Sequence, residues 1–155
     1  MQTALLNGVE LYYETEGNGE PVLLVPPSWW PSATWKVGVV PALAKRYQTV
    51  IFDCRGTGQS GKPATGYTVS QFADDAIQLL ESLKILRCHA IGFALGGQIV
   101  QAMAIARPDL VATLTMWQNG RTADAAVLGV VLILLSALLL LGAQAVVSRR
   151  SARLS

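Results

Sequence analysis

The sequence predicts an α/β domain followed by a long apolar helix. Three observations carry that expectation. Short apolar runs alternate with helical periodicity over residues 1–120, a glycine-framed turn joins one such run directly to a helix, and residues 125–147 hold no charge. Apolar runs bounded by turn residues suit strands buried on both faces of a mostly parallel sheet. Strands alternating with helices at this spacing imply right-handed β-α-β units.

The elements follow in order. Val9 to Tyr13 alternates and reads as an outer strand, and Asn18-Gly19 marks a turn. Pro21 to Val25 is the first buried strand, broken by Pro26-Pro27-Ser28. Trp35, Val39, Leu43 and Tyr47 recur at helical spacing within 32–47, a helix that Gly38 and Pro41 weaken. Thr49 to Phe52 is a second buried strand ending at Asp53, and Cys54 to Tyr67, rich in Gly, Thr, Ser and Pro, is a loop. Val69 to Leu83 is the clearest helix: Phe72, Ile77, Leu80 and Leu83 share a face, and Asp74, Asp75 and Glu81 lie elsewhere. Thr68 or Ser70 is positioned to cap it. Cys88 to Ile91 is the next strand, and Gly92 to Gly97 turns sharply into a helix that ends before Pro108. Val111 to Trp117 is the last strand.

At 155 residues the chain is about one domain long. A hydrophobic fraction of 52% with only 14% charged residues excludes a disordered chain. The net charge of +2 is small, and no basic stripe interleaved with aromatics points to nucleic acid. Cys54 and Cys88 lack the spacing of a metal pair and read as free thiols, so neither a metal nor a cofactor is expected. No basic and apolar leader opens the sequence, and no signal peptide is expected.

The turn Gly92-Phe93-Ala94-Leu95-Gly96-Gly97 matches the frame of the nucleophile elbow, G-x-S-x-G, at every position except the central one. In such a frame a strand turns directly into a helix, the central residue takes a strained backbone, and the glycines avoid clashes. Asp53-Cys54-Arg55-Gly56-Thr57-Gly58-Gln59-Ser60 follows an early strand, Val22 to Val25 precedes a loop and Trp35, and Gln98 to Ala106 leads to Arg107-Pro108. On these motifs the chain resembles the α/β-hydrolase family over residues of about 5–118. The loop motif is similar to that family's D-x-R-G-x-G-x-S, and Val22 to Val25 resembles its oxyanion strand.

The resemblance implies a serine nucleophile at the elbow, a histidine that takes its proton and an acid that orients the histidine. Here the nucleophile position is Ala94, whose methyl group can neither attack nor hydrogen-bond. The residue before it, histidine in the family pattern, is Phe93, and the family's H-G pair is Pro26-Pro27. The backbone N–H groups of Ser28 and Leu95 stand at the expected oxyanion-hole positions. After Ala94 the acids are Asp109 and Asp124, and no histidine follows. His89 precedes the elbow and reads as structural. Cys54 and Ser28, weighed as substitute nucleophiles, have no visible base. Asp53 and Arg55 read as residues that hold their loop. Trp29, Trp30 and Phe93 are candidates to line a pocket for a small apolar ligand.

The run from Ala125 to Val147 is about 23 residues long and reaches roughly 34 Å as a helix, enough for a hydrocarbon core of about 30 Å. It reads as a transmembrane helix followed by the arginines 149, 150 and 153, and it weakly resembles the last helix of a transporter permease. The arginines favour a cytoplasmic C-terminus, which conflicts with the missing signal peptide and leaves the orientation open. The expected organisation is a truncated hydrolase-like domain, 1–120, joined by gene fusion, frameshift or artificial splicing to a membrane segment, 121–155. The expected function is a catalytically inactive, membrane-tethered remnant or binding module. The alternative is a hydrolase of small esters or lactones completed by a second polypeptide.

Overall fold

The computed structural model describes residues 2–27 and 29–117. Six strands form one sheet in the order β1-β2-β4-β3-β5-β6. They are β1 (Gln2–Leu6), β2 (Val9–Glu16), β3 (Glu20–Val25), β4 (Tyr47–Phe52), β5 (Cys88–Phe93) and β6 (Val111–Trp117). The ladders β3–β4, β3–β5 and β5–β6 are parallel, whereas β1–β2 and β2–β4 are antiparallel. The sheet is therefore mixed, with a hairpin at one edge. Asn7 and Gly8, both at positive φ, make the tight turn between β1 and β2.

Alternation along β3 explains why it lies at the centre. Leu23 and Val25 face a core built with Val50, Phe52 and the helices α2 (Val69–Ser82) and α3 (Leu95–Ala106). Val22 and Leu24 face the opposite layer with Ile51, Trp35 and Val40. Successive strand residues point to opposite faces, so a strand apolar at every position must be covered on both. The expected helix over 32–47 is instead two short pieces, a 3-10 helix (Ser32–Lys36) and α1 (Val39–Leu43). Gly38 between them takes φ 96°, which breaks the helical path. Thr68 caps α2, its hydroxyl accepting from the Gln71 N–H.

Among the described residues no helix is long and apolar enough to cross a membrane. The apolar run 125–147 and the proposed join near 120 lie outside the described residues.

Candidate functional site

Parallel strands carry their functional loops at their carboxyl ends. Three such ends meet here: the loop after β3, the loop after β4, and the turn from β5 into α3. Ala94 is the single residue between β5 and α3, at φ 51° and ψ −116°. That conformation is costly for any residue with a Cβ. Close packing imposes it. A Cβ on Gly92 would lie 2.2 Å from the Gly96 carbonyl oxygen, and a Cβ on Gly96 would lie 2.3 Å from that of Val25. Bare backbone at both positions lets α3 start directly against the ends of β3 and β5. Ala94 provides no side-chain cap to α3, which opens at Leu95, the expected oxyanion donor, and whose Gly97 N–H donates to the Ala94 carbonyl at 2.9 Å.

Pro26 and Pro27 are buried after β3, and the Trp30 N–H donates to the Pro27 carbonyl at 3.1 Å. Ser28, the expected second oxyanion donor, lies outside the described residues. Trp29 and Trp30 are both exposed.

The loop after β4 is held by two buried acids. Asp53 accepts from the Ser32 N–H at 2.6 Å through Oδ1 and from the Gln59 N–H at 2.8 Å through Oδ2. Gly58 makes this possible, since a Cβ there would come within 2.0 Å of Asp53 Oδ2. The Ser60 hydroxyl donates to the Asp53 carbonyl and accepts from the Tyr12 N–H. Arg55 does something different. Its Nε and Nη2 donate to the two carboxylate oxygens of Asp75 on α2, each at 2.6 Å. Both residues are buried, and hydrogen bonding to Asp75 raises the guanidinium pKa further. Asn7 adds a third donor to Asp75 at 2.9 Å.

A cavity of about 550 Å³ opens between these loops. Trp29, Tyr67, Phe72 and Leu95 form its apolar side, and Arg55, Gly56, Thr57 and Gly58 form the rest. Of the aromatics marked in the sequence, Trp29 is on this lining. Trp30 is not on it, and Phe93 packs against the layer of Trp35, Val40 and Ile51. Asp75, Tyr67 and Phe72 were missed. Periodicity sets Asp75 off the apolar face of α2 with Asp74 and Glu81, and the burial of Arg55, which requires a counter-charge, reveals its role.

Of the two substitute nucleophiles, Cys54 lies among the described residues. Cys54 is 1% exposed and its thiol is pushed up to about 12 by burial, with Asp75 and Asp53 adding to the shift. Burial thus disfavours the thiolate that nucleophilic attack would need. His89 pairs with Glu20 at 3.2 Å and lies edge-on to Tyr47. It precedes Ala94 along β5 by roughly 16 Å, at about 3.3 Å per residue. It cannot reach a group held at the elbow. Among the described residues, no three His, Cys, Asp or Glu side chains gather as metal ligands.

Comparison with known proteins agrees with this architecture. The family model described as the alpha/beta hydrolase fold matches residues 21–148, past the point near 120 at which the sequence pattern stops. A soluble epoxide hydrolase from Corynebacterium sp. (strain C12) is 35% identical over 111 residues, covering 70% of this chain and 37% of that protein. Est816, described as an N-acyl homoserine lactone degrading enzyme, superposes with a TM-score of 0.68 at 32% identity, covering 71% of this chain and 42% of that one. The enol-lactonase from Burkholderia xenovorans LB400 does so with 0.67 at 31% identity, covering 71% and 44%. The chain thus spans about two fifths of the length of these relatives. These matches do not support the likeness to a transporter permease. The strand order, the elbow at Ala94 and the matched family model have one reading in common: this chain belongs to the α/β hydrolase fold family.

Proposed function

We propose that this chain binds small esters or lactones at its elbow without hydrolysing them. The observation that carries the reading is Ala94, which takes the strained elbow conformation and presents only a methyl group. Acyl transfer through a covalent intermediate needs a heteroatom there, and burial disfavours ionisation of the Cys54 thiol. What remains is the cavity of about 550 Å³, a size ordinary for a small-molecule site, beside the uncapped start of α3. The lactone- and epoxide-acting relatives support the ligand class.

The purified chain is expected to release p-nitrophenol from p-nitrophenyl acetate no faster than bovine albumin does. Turnover above albumin by the unaltered chain would overturn the reading. Membrane attachment through residues 125–147 is part of the proposal, and resistance of the membrane-bound chain to carbonate extraction tests it. The preserved elbow turn and the lactone-acting relatives support a second reading, a hydrolase of small esters or lactones completed by another polypeptide. Co-expression with the C-terminal half of a family hydrolase separates the two. Hydrolysis by the mixture without Ala94→Ser supports the second reading, and hydrolysis only with Ala94→Ser supports the first.

A further inference from the structure

We propose that Asn7 is a site of spontaneous deamidation, gated by its bonds to α2, and that the product carboxylate loosens the β1–β2 turn from the Arg55–Asp75 pair. The inference does not depend on the binding role proposed above.

The sequence supplies the reactive pair. Asn7 is followed by Gly8, both are exposed, and a Cβ on Gly8 would meet nothing within 4 Å. Neither a side chain nor a packed neighbour on that side therefore shields the Gly8 nitrogen. This nitrogen attacks the Asn7 side-chain carbon Cγ, and the amide nitrogen leaves as ammonia, carrying the Gly8 proton with it. The five-membered imide that results takes up one water and opens to aspartate or isoaspartate. Water is the one co-reactant.

The fold sets when this happens. Asn7 Nδ2 donates to Asp75 Oδ1 at 2.9 Å, and Asn7 Oδ1 accepts from Gln78 Nε2 at 2.6 Å. Both partners lie on α2, so the amide is held against that helix. Cγ turns towards the Gly8 nitrogen once these two bonds have opened. A turn on an edge hairpin opens more readily than the core of a sheet.

The product cannot return to the same contacts. Asp75 is 0% exposed, is paired with Arg55, and accepts the Asn7 N–H. An aspartate at this position offers no proton in place of that N–H at neutral pH and brings a second negative charge to the Asp75 oxygen. Isoaspartate goes further. It lengthens the main chain inside a two-residue turn that sets Leu6 opposite Val9. Reaction at Asn7 thus makes a reversible lifting of the turn permanent.

The test follows Asn7 by peptide mapping and mass spectrometry while the full chain is incubated near pH 8. Conversion in the folded chain is expected to run at least about tenfold slower than in guanidinium chloride, and Gln78→Ala to speed it at least about threefold. In urea unfolding, Asn7→Asp is expected to have a lower midpoint than the uncharged Asn7→Gly, which tolerates the positive φ. No product at Asn7 in the folded chain, equal rates in folded and unfolded chains, a rate unchanged in Gln78→Ala, or Asn7→Asp as stable as Asn7→Gly overturns the inference.

Discussion

At the scale of single residues, Ala94 is the most informative position. A residue with a Cβ at φ 51° and ψ −116° bears a conformational cost of about 1–3 kcal/mol. Glycine removes that cost and loses about 0.5–1 kcal/mol of its own in backbone entropy. Ala94→Gly is therefore expected to stabilise the chain by about 1 kcal/mol, read as a higher urea midpoint with an unchanged slope. A lower midpoint would mean that the methyl group packs favourably enough to outweigh its strain. The elbow was legible in the sequence because its frame is local: Gly92, Ala94 and Gly96 lie within five positions and their spacing encodes the turn. The neighbouring aromatics were harder to place. Phe93 sits one residue before the elbow, but strand alternation sends its side chain to the layer of Trp35. A motif identifies a position without saying which face of the sheet its neighbour serves.

At the scale of elements, the ion pair between Arg55 and Asp75 ties the loop after β4 to α2. The pair spans 20 positions, and Asn7 of the β1–β2 turn reaches the same carboxylate. Removing one partner leaves a buried charge uncompensated. Asp75→Ala is expected to cost about 3–5 kcal/mol in urea unfolding, and the neutral but isosteric Asp75→Asn less, because its amide still offers one acceptor. Equal and small losses for both variants would show that water reaches Arg55 and that the pair matters little. Such pairing across distant segments is invisible to periodicity. Asp75 shares α2 with Asp74 and Glu81, and nothing in their order marks one acid as buried. Other elements show the same division. β3 and β4 were legible as apolar runs, whereas β1 was not, although Asn7-Gly8 offered a hairpin signal. The segment 32–47 kept a helical spacing of apolar residues, but Gly38 divided it into two short helices.

At the scale of the whole molecule, buried thiols link stability to pH. Cys54 ionises near 9.0 when unperturbed and at about 12 in the folded chain. The unfolded chain releases this proton first, so the stability that burial of the neutral thiol contributes is fully present below about pH 9 and is lost as pH rises towards 12. The urea midpoint is expected to fall between about pH 8 and pH 10.5 more steeply in the native sequence than in Cys54→Ala. Parallel slopes would show that the thiol titrates normally in the fold.

The strand order has a consequence for time as well as for shape. β3 lies between β4 and β5, and its second neighbour can dock only after α2 has been made and brought across the sheet. Pairings between segments so far apart in the chain form slowly, since a long loop must close before any contact compensates for it. The elbow hangs on the end of β5, so it and the cavity require that pairing to be in place. A compound that fits the cavity therefore binds the folded chain and not the unfolded one. Its binding raises the stability of the finished molecule in proportion to its concentration over its Kd.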